Sequence, residues 1–337
     1  MQTKAHFLLL LLAVAAVFQS CERVVEIDDD PSTAQLVLNA VPVPGNTAFV
    51  YFARTRFFLD PSNDQPVACD EMHFRANGTE LQLDSTYRCR YYFNHTISEG
   101  DSLDIAVRSG ERMVRASTWV PYVPTISDVS LEDQTGLGTF RFYRAQFSFQ
   151  DHPGIREYYN LNVTVRDSGE KFNPWKDKID TIDTVHSTYF MLPFSPSITS
   201  SEVSYSIPLL DRLYTRNLFF DSLIDGQHCP VDLYILNLRD TNEREGFKHE
   251  YTVTVESLTR DRLRYIIDAS RQSSTSSFFA EQGAVRGNVE GAVGLFAGAA
   301  RSTFTFCPDT LPAAGQSAPT PPEPVLRALS PKMPSER

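Results

Sequence analysis

Short alternations of apolar and polar residues recur along this chain and set its architecture. Leu103, Ile105 and Val107 stand two apart with polar residues between them. So do Phe147 and Phe149; Leu161, Val163 and Val165; Val231, Leu233 and Ile235; and Tyr251, Val253 and Val255. A period of two sends alternate side chains to opposite faces, so each run predicts a strand with one buried face. Gln35–Asn39 and the aromatic-rich Ala48–Phe58 add two more strands, separated by a turn over Pro42–Gly45. Asn77-Gly78 predicts a hairpin, because both residues accept the positive φ of a tight two-residue turn. Helical spacing stands out at Thr259–Ser270, where Leu263, Ile266, Ile267 and Ser270 fall at i, i+3, i+4 and i+7 behind a capping Thr259. That stripe reads as core packing.

The pattern predicts an all-β protein of two β-sandwich domains, the first immunoglobulin- or transthyretin-like, with one short helix in the second. Two prolines close together in Val120-Pro121-Tyr122-Val123-Pro124 cannot sit inside a paired central strand, so the boundary falls there. The domains are then residues 34–124 and 125–307. Within the second, Lys171–Ser201 is polar and interrupted by proline, which predicts a long surface loop. Residues 308–337, rich in Pro, Ala and Ser, predict a disordered tail.

The chain opens with a different pattern. Lys4 precedes an unbroken apolar run, Phe7–Phe18, and then Gln19-Ser20-Cys21. A cation, a short apolar core and a small residue before a cleavage point describe a secretory signal over residues 1–20. The run is well short of the ~20 residues that span a bilayer. Cysteine directly after the small residue resembles a bacterial lipoprotein signal, in which Cys21 becomes the lipidated first residue. Cleavage elsewhere, for instance after Ala16, would leave Cys21 as a thiol or a disulfide partner. Residues 21–33 follow as an acidic tether with Asp28, Asp29 and Asp30. Its like charges read as a solvated spacer between lipid and fold.

Charge narrows the partners. The formal net charge of −11 becomes −12 once Lys4 leaves with the first twenty residues. That balance argues against nucleic acid and against electrostatic docking on anionic lipid. Membrane attachment then rests on the N-terminal lipid, and two or more acyl chains give stable anchoring where one does not.

Setting Cys21 aside leaves Cys69, Cys89, Cys229 and Cys307, an even set that allows three disulfide connectivities. Locality favours Cys69 with Cys89 and Cys229 with Cys307; four buried thiols are the alternative. Asp-Ser or Asp-Thr followed by an aliphatic residue or threonine marks Ser85, Ser102, Thr181, Thr184, Ser222 and Thr310. These triplets resemble the O-glycosylation sequon of periplasmic Bacteroidota proteins.

Candidate chemistry is sparse. HExxH, GxSxG, GxGxxG and Walker A motifs do not occur. The histidines of the mature chain, His73, His95, His152, His186, His228 and His249, are scattered singly, and the cysteines lack zinc-ligand spacing. Asp177, Asp180 and Asp183 recur every three residues, but Lys176 and Lys178 balance them locally, so they read as solvated turn residues. No catalytic residue, metal or cofactor is expected.

The last coherent segment, Gly287-Asn288-Val289-Glu290-Gly291-Ala292-Val293-Gly294-Leu295-Phe296, runs into a final strand at Thr303–Phe306. It resembles the C-terminal signature of a Bacteroidota lipoprotein family catalogued as domain of unknown function 4249. The tether and first strand resemble that family as well. So do Phe149-Gln150-Asp151 with Tyr158-Tyr159, and the run from Tyr251 to Leu258 leading into the helix. The resemblance spans nearly all of the mature chain to Cys307; the proline-rich tail and the cysteines depart from it. It implies placement at the outer membrane and a tie to TonB-dependent uptake, with no established activity. The expectation is a non-enzymatic, lipid-anchored accessory or binding protein, facing periplasm or cell surface, with an outer-membrane transporter or another surface protein as partner. A surface adhesin or structural subunit comes second, and a glycan- or peptide-directed hydrolase third.

Overall fold

A computed structural model describes residues 34–55, 67–135, 141–188, 190–191, 217–221, 224–237, 246–274 and 285–308. These residues are mostly β-strand, gathered in two strand-rich regions, with one helix among them. Cys21, Ser222 and Thr310 lie outside the described residues, as do the signal segment, the acidic tether and nearly all of the proline-rich tail.

The first region contains β1 (Leu36–Asn39), β2 (Thr47–Arg54), β3 (Glu71–Ala76), β4 (Thr79–Glu80), β5 (Leu83–Tyr87), β6 (Arg90–Thr96), β7 (Ser102–Ser109) and β8 (Arg112–Trp119). They form two four-stranded sheets, ordered β1-β2-β6-β5 and β4-β3-β7-β8. The alternation decides which side chains go inward: Leu103, Ile105 and Val107 of β7 are buried while their neighbours face out. Both sheets contribute to one core, in which Phe52 and Phe93 meet Phe74, Ile105 and Val114. The turn between β3 and β4 is the one its sequence predicts, with φ of 52° at Asn77 and 78° at Gly78.

The second region holds β9 (Thr125–Thr135), β10 (Arg141–Gln150), β11 (Tyr158–Asn173), β12 (Lys178–Ser187), β13 (Phe190–Met191), β14 (Leu218–Phe220), β15 (His228–Leu236), β16 (Lys248–Leu258), α1 (Arg260–Ser274) and β17 (Ala299–Phe306). Its sheets run β13-β15-β10-β9 and β12-β11-β16-β17, with β14 beside the start of β11. A single core joins Phe147 and Phe149 to Leu161, Val163, Val231, Leu233, Val253 and Val255. Thr259 caps α1: its Oγ1 accepts from the Arg262 amide at 3.4 Å. Leu263 of the helix packs with Tyr158, Leu258 and Val43 in a third cluster that carries residues from both regions.

The segment predicted as a long loop differs from that reading. From Lys171 to Ser187 it is a β-hairpin, with Phe172 opposite Ile179 and Thr164 opposite Ser187. The sequence hides these strands because both faces near the tip meet solvent, so no apolar alternation is required. Residues 192–201 lie outside the described ones.

Residues 287–298, which follow α1 in sequence, return to the first region as a strap. Val293 and Phe296 bridge in parallel to Val37 and Ala40 of β1 and its end, and Glu290 bridges antiparallel to Arg115 of β8. The strap thus ties the edge strand of one sheet to the edge strand of the other. Phe296 fills the core between them, its ring 5.9 Å from that of Phe74.

Candidate functional site

Among the described residues a buried polar cluster lies where strands of the second region meet the linker, and strand ends place most of it. β10 ends at Gln150, just before Asp151 and His152, β11 starts just after Glu157 and contains Tyr159, β14 leads into Asp221, and β16 supplies Ser257. The linker adds Tyr122. Asp151, Glu157, Tyr159 and Ser257 are fully buried.

Tyr159 stands at the centre. Its hydroxyl oxygen lies 2.5 Å from Asp151 Oδ1 and 3.0 Å from Glu157 Oε2. Glu157 Oε1 accepts from the Ser257 hydroxyl at 3.0 Å and from the Tyr122 amide at 3.2 Å. Asp151 Oδ2 accepts from the Gly226 amide at 2.7 Å, and Asp221 Oδ2 accepts from the Glu157 amide at 2.7 Å. His152 Nδ1 is 3.4 Å from Glu157 Oε2, and its ring stacks on Tyr122 with centroids 4.6 Å apart. Buried polar groups persist when their partners are present, and here the partners come from five separate segments.

Burial pushes the carboxyl groups of Asp151, Glu157 and Asp221 above the ordinary carboxylate range. Donors from Gly226, Tyr159, Ser257 and Tyr122 pull against that shift without reversing it. Burial and the adjoining carboxylates likewise raise the Tyr159 hydroxyl, so it stays protonated. Being sealed, the cluster offers no face to a substrate; it joins the linker to the second region.

Two exposed features could meet a ligand or partner. On the outward face of β3, β7 and β8, an open cleft of about 540 Å³ is lined by His73, Arg75, Asp104, Arg115 and, from the strap, Asn288 and Glu290. Its volume is in the range of ligand pockets, although its walls are mixed in charge where such pockets are mainly apolar. The second feature is the β11–β12 hairpin. β16 pairs with β11 only as far as Ser168, so among the described residues Gly169–Asn173 pair with β12 alone. A two-stranded ribbon about 15 Å long results, tipped by Trp175, which is 95% exposed. Ile179 and Val185 of β12 are exposed as well.

The residues singled out from sequence do not assemble into one site. Cys69, Cys89, Cys229 and Cys307 are all thiols, and neither favoured pair is bridged. Burial holds the Cys69 thiol above its ordinary pKa and pushes that of Cys229 up to about 12, so both stay protonated. Ser85 on β5, Ser102 at the start of β7, and Thr181 and Thr184 on β12 are exposed residues of three separate strands. Asp180 and Asp183 serve the hairpin, accepting from Asn173 at 2.8 Å and from Arg166 at 2.9 Å. Among the described residues no three His, Cys, Asp or Glu are grouped to hold a metal ion, and no helix is long and apolar enough to cross a membrane.

Sequence reasoning missed Glu157, Asp221 and Ser257, because nothing in a linear reading distinguishes a buried acid from a solvated one. Asp151 and Tyr159, by contrast, sit in the Phe149-Gln150-Asp151 and Tyr158-Tyr159 pairs that carried part of the family resemblance. The strap with Asn288 carried another part. A family model described as a domain of unknown function, DUF4249, matches residues 22–305. The chain belongs to the DUF4249 family. Neither the curated proteins nor the solved structures gave a match. In this DUF4249 chain the matched span runs from the residue after Cys21 to within one residue of the end of β17, so the strap and the buried cluster lie inside it.

Proposed function

We propose that this protein is a lipid-anchored, non-enzymatic accessory protein of the outer membrane that binds a protein partner, a TonB-dependent transporter. Two β-sandwich modules, the first immunoglobulin- or transthyretin-like, present its contact elements, and Cys21 carries the lipid. The observation that carries the binding role is the β11–β12 hairpin. A two-stranded ribbon leaves the sheet that supports it and holds a tryptophan in solvent, where it adds nothing to the core. Isolated ribbons are marginal in water, and exposed aromatic residues are the commonest anchors of protein interfaces. Membership of the family and the signal ending in Cys21 support the location.

Affinity purification from native membranes tests this reading. The wild-type chain is expected to recover an outer-membrane transporter, and Trp175→Ala to recover it at least tenfold less while folding normally. Equal recovery by both, or no outer-membrane partner with either, overturns it.

A further inference from the structure

We propose that Asp151, Tyr159 and Glu157 hold one shared proton between two carboxyl groups, and that this proton acts as a pH-sensitive clasp joining the linker to the second strand-rich region. Counting donors leads to it. The Tyr159 hydroxyl has one hydrogen, yet its oxygen lies within hydrogen-bond distance of a carboxyl oxygen on each side. A tyrosine hydroxyl donates once, and an ionised carboxylate only accepts. With both carboxylates ionised, one of the two contacts would set lone pairs against lone pairs inside a dry cluster. One carboxyl group therefore carries a hydrogen.

The distances indicate which one. At 2.5 Å, the Tyr159–Asp151 contact has the length of a hydroxyl donating to an ionised carboxylate. Glu157 then holds the proton on Oε2 and donates it to the Tyr159 oxygen at 3.0 Å. Its Oε1 remains an acceptor for Ser257 and Tyr122, and Asp151 Oδ2 for Gly226. Every polar oxygen of the triad is satisfied in this arrangement, and one negative charge remains where two would repel.

The charged and titratable neighbours are few. The segments around β14 and β15 contribute Asp221, Asp225 and the Cys229 thiol, while His152 and Arg156 come from the segment between β10 and β11. Losing the shared proton would place a second negative charge beside Asp151 and near Asp221 and Asp225, with Arg156 as the nearby cation. Repulsion in a low-dielectric site is strong, and it acts on the cluster that holds the linker amide of Tyr122. The clasp is thus closed with the proton bound and loosened as pH rises.

Carboxyl ¹³C NMR titration of the full mature chain tests it, with the Tyr122 amide resonance as the reporter of the clasp. At neutral pH one of the two carboxyl groups is expected to read as protonated, and the Tyr122 amide is expected to shift as that proton leaves at higher pH. Two ionised carboxyl signals at neutral pH overturn the proposal. Glu157→Gln keeps a donor toward Tyr159 and an acceptor toward Ser257 and Tyr122, so it should fold and lose the Tyr122 transition; a wild-type transition in that variant also overturns the idea. His152→Gln should keep the transition, and its disappearance there would assign the effect to the imidazole instead. Should either variant fail to fold, the wild-type carboxyl signals decide alone.

Discussion

Asn288 grips both backbone groups of Phe296: its Oδ1 accepts from the Phe296 amide at 2.9 Å, and its Nδ2 donates to the Phe296 carbonyl at 2.8 Å. One side chain thereby closes the strap into a loop and sets Phe296 into the first core. Asn288→Ala leaves those two groups without their partner, and a buried unsatisfied group costs about 1–3 kcal/mol. Denaturant unfolding should show a loss of about 2 kcal/mol or more. Asn288→Asp keeps the acceptor but sets a carboxylate oxygen against the Phe296 carbonyl and the Asp261 carboxylate, both of which Nδ2 now meets, so it should lose at least as much.

Gly294 allows the strap to lie flat on β1. Its φ is +132°, and a Cβ there would stand 2.0 Å from the Leu38 carbonyl oxygen, a backbone atom that cannot move aside alone. Gly294→Ala should therefore separate the strap from β1 and cost more than ~1 kcal/mol, because alanine is strained where φ is positive. Proteolysis of the native protein should then cut within residues 287–298, where the wild type resists. A fragment of residues 34–124 lacks Phe296 and both edge pairings; thermal unfolding should find it far less stable than the same region in the full chain.

These two features show where linear reading stops. β7, β10, β11, β15 and β16 were legible because each buries one face, and burial is what writes a period of two into the chain. The helix was legible for the same reason at its own period. The strap has no such period, since Gly291 and Gly294 serve backbone approach and Phe296 joins a core whose other strands end at Trp119, far earlier in the sequence. The hairpin beyond Ser168 failed in the opposite way, by burying neither face. In the buried cluster, Asp151 and Glu157 are ordinary acids until strand ends bring Tyr159 between them.

Two acids give stability opposite dependences on pH. Asp101 is buried, which opposes ionisation, but the Ser98 amide and the side chains of Asn77 and His95 donate to it and hold its carboxyl below the ordinary value of 3.8. Its contribution is complete above that value and is lost as pH falls through the lowered one. Glu157 is raised, so the native state keeps a proton that the unfolded chain releases. Its contribution is complete below the ordinary value of 4.5 and declines as pH climbs through the raised one. Thermal melts across pH should show both limbs. Asp101→Asn should flatten the acid limb alone, and Glu157→Gln the alkaline one alone.

Protection of the backbone should change abruptly along β11. From Tyr158 to Ser168 this strand lies against β16 on one side, with β14 and β12 in turn on the other; from Gly169 to Asn173 β12 is its sole strand neighbour among the described residues. Amides inside a multi-stranded sheet open with the global fold, whereas those of a two-stranded ribbon open locally at small cost. The Arg166–Asp183 pair near the base of the ribbon is exposed on both sides and adds little. Hydrogen exchange followed by mass spectrometry should therefore find residues 169–182 exchanging at least tenfold faster than residues 158–168. Arg166→Ala should leave that contrast in place. Uniform protection along β11 would mean that the ribbon is held by contacts beyond β12.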